Sequence, residues 1–301
     1  MENEILVTGS GGLVGSEFEN VVKINSKIDL RNPTSVDSMI KFYSPKYVIH
    51  TAGKVGGLGA NMSKMGEFFY DNIMMNTNII ESCRKYEVQK LICFLSTCIF
   101  PDDVKYPLNE SMINIGPPHH SNFGYAYAKR MAQTQIETYN LQYGTNYFSI
   151  IPCNIYGPND NFNLNSSHVI PAIIHKTYLA IQKEEDLVIW GSGNPLREFI
   201  YSKDVAEISK RLLELYSGPE PIIVSTSNEV SIKKIVEIIT DIMGFTGKVI
   251  FDTNKPDGQY RKPSNNSKLK SIIGDYKFTS IEEGLKETID NFILNYNNIR
   301  K

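Results

Sequence analysis

Through the first half of the chain, short apolar runs rich in β-branched residues alternate with longer stretches of helical periodicity. EILVT (4–8), VVKI (21–24), YVIHT (47–51), KLICFLS (90–96) and YFSII (147–151) each have the length and composition of a buried strand. Strands separated by helices form βαβ units, so the pattern predicts an α/β chain built on a doubly wound parallel sheet. Helix punctuation agrees: Asn32 before Pro33 reads as an N-cap with proline at the first helical position, and Gly144 ends a long helix that begins near Tyr125. After the first strand, LVGSEFEN (13–20) leaves room for only a short helix.

The second half is mixed. HVIPAIIHKTYLAIQK (168–183) reads as a helix, LVIW (187–190) and PIIVST (221–226) as strands, and Thr279 with Glu282 as a capping box for a further helix. Regular alternation gives way after YGPNDNF (156–162). The expected division is a sheet domain over 1–163 and a smaller mixed α/β lobe over 164–301, with some later segments returning to the first sheet.

A chain of 301 residues, 41% hydrophobic and 21% charged, has material for a full core and two lobes. Its net charge of −2 offers no attraction to nucleic acid or to an anionic membrane, which leaves a small molecule as the expected partner. The opening MENEILVTG runs into a strand with neither a basic leader nor a long apolar stretch, so the expected location is cytoplasmic. Four cysteines and five histidines fall at spacings that match no disulfide framework and no metal site, so reduced thiols and no metal are expected.

Gly9, Gly12 and Gly15 follow the first strand directly. Glycines there permit a tight turn and let backbone N–H groups of residues such as Ser10, Leu13 and Val14 approach a pyrophosphate. Position at the first strand of an alternating chain raises the motif above an ordinary glycine-rich turn and predicts a Rossmann-type dinucleotide site. Near the tip of the second strand, Asp29 lies 20 residues after Gly9, the separation of a carboxylate that binds the ribose 2′-hydroxyl of NAD, and Leu30 follows it. Lys27 and Arg31 in the same segment suit instead the 2′-phosphate of NADP, and the balance favours NADP.

Tyr125 and Lys129, four residues apart on a predicted helix, share one face, where the ammonium reaches a nicotinamide ribose while lying near the phenol. A free phenol titrates about 3 units above neutral pH, roughly 4 kcal/mol, and a nearby cation narrows that gap. A YxxxK pair by itself is a frequent accident of a solvated helix face. With the glycine loop, and with Ser96 closing the fourth strand to hydrogen-bond a reacting oxygen, it predicts a Ser-Tyr-Lys oxidoreductase site. Cys98, two residues further on, lies past the carboxyl end of a strand, where open α/β sheets bind ligands, and so leans towards chemistry. Cys83 and Cys93 fall inside predicted elements and read as small buried hydrophobes, while Cys153, after the next strand, reads as a wall of the site.

These residues, together with HTAGKVGGLGAN, LSTCIFP, SNFGYAYAKRM, NIYGPNDNFN, SHVIPAIIHK, WGSGNPLREFIY and KPDGQYRK, make nearly the whole chain resemble the extended short-chain dehydrogenase/reductases, and among them the GDP-L-fucose synthase family. The resemblance implies NADPH as cofactor and GDP-4-keto-6-deoxy-D-mannose as substrate, epimerised at C3 and C5 and then reduced at C4. It implies Cys98 as the base and His168 as the acid of epimerisation, with Tyr125 polarising the C4 oxygen before donating its proton. Further cofactor contacts are implied for Pro152, Asn154, Ile155 and His168, and substrate contacts for Lys176, Trp190, Arg197, Asp257 and Lys262. A homodimer is implied as well, the helix holding FFYDNIMMNTNII (68–80) pairing with that of Tyr125; a plain core helix is the other reading of this stripe.

Two positions depart from the family pattern. An arginine is common in the glycine loop, where Ser10 and Gly11 stand here, and another near His175 and Lys176, where this chain has lysine. Two rival functions use fewer of the residues. A nucleotide-sugar 4-epimerase holding NAD needs Ser96, Tyr125 and Lys129 but no Cys98–His168 pair, and a non-catalytic dinucleotide sensor needs neither set.

Overall fold

The computed structural model describes residues 4–255 and 257–301. Its first part runs β1 (Ile5–Thr8), β2 (Val22–Ile24), α1 (Pro33–Tyr43), β3 (Tyr47–His50), α2 (Leu58–Ser63), α3 (Met65–Lys85), β4 (Lys90–Phe94), α4 (Phe123–Tyr143), β5 (Tyr147–Pro152) and β6 (Asn154–Tyr156). There follow α5 (Val169–Lys183), β7 (Leu187–Trp190), β8 (Leu196–Tyr201), α6 (Ser202–Leu215), β9 (Ile222–Val224), β10 (Glu229–Ser231), α7 (Ile232–Ile242), β11 (Val249–Asp252), α8 (Ser267–Ile273) and α9 (Ile281–Leu294).

Six strands form a wholly parallel sheet in the order β2-β1-β3-β4-β5-β9. Successive side chains leave a strand on opposite faces, and here both faces are apolar because helices cover both. Leu6, Val48, Leu91 and Ile151 pack with Val36, Ile40, Ile79 and Ile136 on one side. Val7, Ile49, Ile92 and Ile150 pack with Val205, Ile208, Leu212 and Leu269 on the other. Strand order reverses at β1, so the crevice between the carboxyl ends of β1 and β3 is the position where such a sheet receives a ligand.

Local signals account for the element ends. Asn32 Oδ1 accepts from Thr34 N at 2.9 Å and Ser35 N at 3.2 Å to start α1, and Gly144, at φ +67°, closes α4. Only a single 3-10 turn, Gly15–Glu17, stands between β1 and β2. The predicted capping box is displaced by one residue: Ser280 and Glu283 make it, because Thr279 N and Oγ1 both donate to the Asp204 carboxylate at 2.9 Å.

The remaining elements build a second core around Tyr156, Phe162, Phe199, Tyr201, Leu285 and Phe292. It contains a sheet of β10, β8 and β6 and a parallel pair of β11 and β7. The chain passes between the two cores more than once: β5 leads directly into β6, and β8 leads back through α6 to β9, which completes the first sheet. Among the described residues no helix is long and apolar enough to cross a membrane, and no three His, Cys, Asp or Glu side chains are grouped to hold a metal.

Candidate active site

Beyond β4 the chain leaves the sheet at Leu95, whose N donates to Ile150 O at 2.8 Å. Ser96 then caps a 3-10 turn, Thr97–Ile99, its Oγ accepting from Cys98 N at 3.3 Å. The turn faces α4, where Tyr125 is 9% exposed and Lys129 is 2% exposed. Ser96 comes within hydrogen-bonding reach of the Tyr125 phenol, and Cys98 lies near enough for its charge to act on it. Lys129 Nζ donates to Phe94 O at 2.7 Å and lies 5.9 Å from the Tyr125 ring centroid.

Burial pushes the Tyr125 phenol well above its ordinary value; the charge of Cys98 adds to the rise and the Ser96 hydroxyl opposes it. The lysine that the sequence places to narrow this gap is held by the Phe94 carbonyl instead, with its own ammonium pushed down by burial. Burial therefore governs the phenol and keeps it protonated, the state that a proton donor requires.

His50, which opens HTAGKVGGLGAN without any spacing that announces a role for it, lies fully buried beneath this pair. The β1–β3 register sets it opposite Thr8, whose Oγ1 is 2.7 Å from Nδ1, while Nε2 is 3.0 Å from Asn76 Oδ1 on α3. Burial and, after it, the charge of Lys129 push the imidazole down to about 3, so it is neutral at pH 7. The unfolded chain takes up a proton near pH 6.5 that the folded chain refuses, so this contribution to stability is complete above pH 6.5 and is lost as pH falls towards 3. Urea midpoints are expected to fall with acid across that window, this one group costing at most about 1.4 kcal/mol per pH unit, and to fall less steeply in His50→Gln. Equal slopes for the two proteins would contradict the assignment.

His168 precedes α5, on a loop that docks onto the segment after β3. Gly57 N donates to Ser166 O at 2.9 Å, and a Cβ at Gly57 would lie 2.6 Å from Ser167 O. At the other end of the same segment, a Cβ at Gly53 would lie 3.5 Å from Lys129 Nζ. The glycines of HTAGKVGGLGAN thus link the His168 loop to the Tyr125–Lys129 helix by close backbone approach. Protein surrounds His168 although the residue keeps an exposed surface; burial, and next the charge of Arg300, move the imidazole below its ordinary value.

The glycine loop has the shape of a dinucleotide cradle. Gly9 has φ +74°, and a Cβ there would lie 2.7 Å from Ala52 N; a Cβ at Gly15 would run into the Gly9 carbonyl, whereas one at Gly11 meets nothing within 4 Å. The inner side of the turn is closed against β3 and the rim is open, which fits a pyrophosphate of NADP laid along residues 10–13. Ser10 N is already bonded to Ile24 O at 3.0 Å, and the side chains of Val14 and Leu30 belong to the two cores, so these two residues have only backbone to offer a cofactor. Asp29 is not a free carboxylate: Arg31 Nε and Nη2 donate to its two oxygens at 2.9 and 3.0 Å, and Arg31 Nη1 donates to Asp71 Oδ1 at 3.1 Å. The tip of β2 therefore presents Arg31 and an exposed Lys27 rather than an unpaired acid.

At the carboxyl end of β5, Pro152 gives way to Cys153, 6% exposed, and to Asn154, whose Nδ2 donates to Glu198 O at 2.8 Å while Ile155 continues β6. Burial pushes the thiols of Cys153 and Cys83 far up and that of Cys93 up to about 11, so all three remain thiols at neutral pH.

From the second core, Trp190 projects 63% exposed, its ring centroid 5.1 Å from Lys176 Nζ and 5.4 Å from Lys255 Nζ. Glu198, next to Arg197 in WGSGNPLREFIY, accepts from Ser264 N at 3.0 Å and Ser264 Oγ at 2.5 Å and so pins residues 260–266 across β8. Lys262 is thereby carried next to Arg197 and near Cys98; its ammonium is pushed down by burial, with the charge of Cys98 opposing that. Asp257 is used differently, its two oxygens accepting from Ser192 N at 2.6 Å and Ser192 Oγ at 2.8 Å, so that it shapes the turn after Trp190.

Comparison with known proteins agrees with this geometry. The model of the NAD dependent epimerase/dehydratase family matches residues 5–225. A GDP-L-fucose synthase of Dictyostelium discoideum is 47% identical over 311 residues, covering 99% of this chain and 97% of the relative. A probable GDP-L-fucose synthase of Drosophila melanogaster is 39% identical, with 99% of each chain covered. Among solved structures, a GDP-L-fucose synthetase from Naegleria fowleri bound to NADP superposes with a TM-score of 0.93 at 40% identity, covering 100% of this chain and 96% of the other.

Proposed function

Because the chain belongs to the NAD dependent epimerase/dehydratase family and, within it, to the GDP-L-fucose synthases, we propose that it converts GDP-4-keto-6-deoxy-D-mannose to GDP-L-fucose, epimerising C3 and C5 and reducing C4 with NADPH. The observation that carries this reading is the placement of Cys98. The 3-10 turn after β4 sets a partly buried thiol near the Tyr125 phenol, at a position where neither a plain 4-reductase nor a 4-epimerase has use for one.

A C–H flanking a ketone loses its proton readily only if the carbonyl oxygen is stabilised as negative charge develops there. In this reading Cys98 takes the proton, Tyr125 and Ser96 hydrogen-bond the C4 oxygen, and His168, on the loop from the second core, returns a proton to the other face of the ring. Two such rounds invert C3 and C5. Tyr125 then gives its proton to the C4 oxygen, and Lys129, anchored on Phe94 O, holds the nicotinamide ribose in register. Bound NADPH supplies the hydride for C4. Residues 9–15, Lys27 and Arg31 hold the dinucleotide, while Trp190 forms a flat wall for the GDP moiety and Lys176, Arg197 and Lys262 meet its diphosphate.

Two copies of the chain pair through the outer faces of α3 and α4 in this proposal. Phe69, Tyr70, Phe123 and Met131, each at least 40% exposed, form the apolar surface that such a contact would cover. The free cysteines fit a reducing, cytoplasmic setting.

The decisive assay supplies GDP-4-keto-6-deoxy-D-mannose and NADPH in deuterated water. GDP-L-fucose carrying deuterium at C3 and C5 is expected, with one NADPH oxidised per product. Unlabelled product, or product without NADPH oxidation, would overturn the reading.

A further inference from the structure

Two successive residues of α4 grip the chain on either side of Ser96 and Cys98. Lys129 Nζ donates to Phe94 O, the last carbonyl of β4, at 2.7 Å, and Arg130 Nε donates to Ile99 O, the last carbonyl of the 3-10 turn, at 2.6 Å. Tyr125 stands one helical turn before Lys129, so the helix that carries the phenol also fixes both ends of the segment that faces it.

The turn does little to hold itself. Ile99 N donates to Ser96 O at 3.1 Å, Phe100 N to Thr97 O at 3.3 Å and Cys98 N to Ser96 Oγ at 3.3 Å, the long bonds of a single 3-10 turn. On the side leading to Ser96, the chain is secured by Lys129 and by Leu95 N, which donates to Ile150 O at 2.8 Å. On the side of Cys98, the short bond from the Arg130 cation is the stronger anchor. Arg130 is 5% exposed, its guanidinium carbon lies 5.3 Å from the Tyr127 ring centroid, and its Nη2 has no hydrogen-bond partner among the described residues. A buried cation whose Nε meets a neutral carbonyl, with a further N–H group left unpaired, is a poor source of stability, because its desolvation is not offset by a carboxylate. What it does provide is a fixed place for residue 98.

We propose that Arg130 is a positioning residue for Cys98, its Nε–H holding the Ile99 carbonyl so that the thiol keeps its place near the Tyr125 phenol. The proposal rests on Cys98 being the base of the epimerisations. Ser96 and Tyr125 are held independently of this bond, so its loss bears on proton removal more than on reduction at C4.

Two substitutions separate the hydrogen bond from the charge, because glutamine and methionine both place an atom where arginine has Nε. Arg130→Gln keeps an N–H there and Arg130→Met sets a methyl group there, while both lose the charge and the outer guanidinium. Hydrogen exchange of the full chain without ligands, read at the amides of Cys98, Ile99 and Phe100, is expected to quicken about tenfold in Arg130→Met and to stay near the wild-type rate in Arg130→Gln. In the deuterium assay, the ratio of labelled to unlabelled C4-reduced product is expected to fall about tenfold in Arg130→Met and to stay near the wild-type ratio in Arg130→Gln. Thermal melting near the wild-type temperature confirms folding, and Arg130→Leu serves as a second variant without the donor, expected to behave as Arg130→Met does. Unchanged exchange in the folded variants without the donor overturns the proposal. Equal loss of label in Arg130→Gln and Arg130→Met does so too, since charge or volume would then be responsible, and so does faster exchange with no loss of label. Wild-type product without label overturns the epimerase reading and, with it, the purpose of the anchor, a failure distinguishable from the others because the exchange rates are measured without substrate.

Discussion

Cys98→Ser is expected to abolish deuterium uptake at C3 and C5, lowering epimerisation by roughly 10²–10⁴-fold, while NADPH binds as tightly as before. Serine fills the same space, and the hydrogen bond from residue 98 to Ser96 Oγ uses backbone N–H, so the turn survives. What disappears is an ionisable group: a hydroxyl does not yield its proton near neutral pH, and the nearest base that does is gone. Ser96, Tyr125 and Lys129 are untouched, so a low rate of direct C4 reduction of the unepimerised ketone is expected to remain. Product NMR after reaction in deuterated water, with a fluorescence titration of NADPH, separates the two effects. Cys153 offers no substitute, since burial holds its thiol far up. Label uptake at the wild-type rate would end the case for Cys98 as the base.

Tyr125→Phe is expected to fail in a different way, losing both half-reactions. In the proposed mechanism the phenol meets the C4 oxygen during proton removal and again during reduction, and loss of one such donor costs roughly 10²–10³-fold, about 3–4 kcal/mol. A variant that lost reduction but kept label uptake at full rate would show that another group stabilises the enolate. The pH dependence carries its own sign. Burial raises the phenol, so it stays protonated throughout the range in which a free tyrosine would, and C4 reduction of an already epimerised ketone is expected to show no alkaline limb below about pH 9. Epimerisation, by contrast, falls as pH rises through the lowered value of His168, because the acid must be protonated. Identical profiles for the two steps would contradict this division of labour.

Geometry carried by local spacing was legible beforehand. The glycine loop, the Ser96–Cys98 step and the Tyr125–Lys129 face each lie within a few residues, and a strand end or a helical turn converts that spacing directly into geometry. Local spacing also misleads where a neighbour intervenes. Asp29 stands at the separation of an NAD-binding acid, yet Arg31, two residues on, occupies both of its oxygens. Thr279 and Glu282 have capping-box spacing, yet a carboxylate on α6 takes the threonine. Glu198, which holds the Lys262 segment, and Arg300, whose carbonyl returns to the loop before His168, show no local spacing that announces these contacts, because their partners are distant in sequence.

By itself the sequence determined the alternation of strands and helices, the family to which the chain belongs, and which side chains are candidates for proton transfer. Those properties follow from periodicity and from short runs of residue types. Only the tertiary structure decided the protonation states: a phenol raised by burial rather than tuned by its lysine, a histidine held neutral beneath it, and a carboxyl, Asp160, whose ionisation burial delays to about 7. Protonation answers to solvent access and to charges on other elements, and both come into being only when the chain closes on itself.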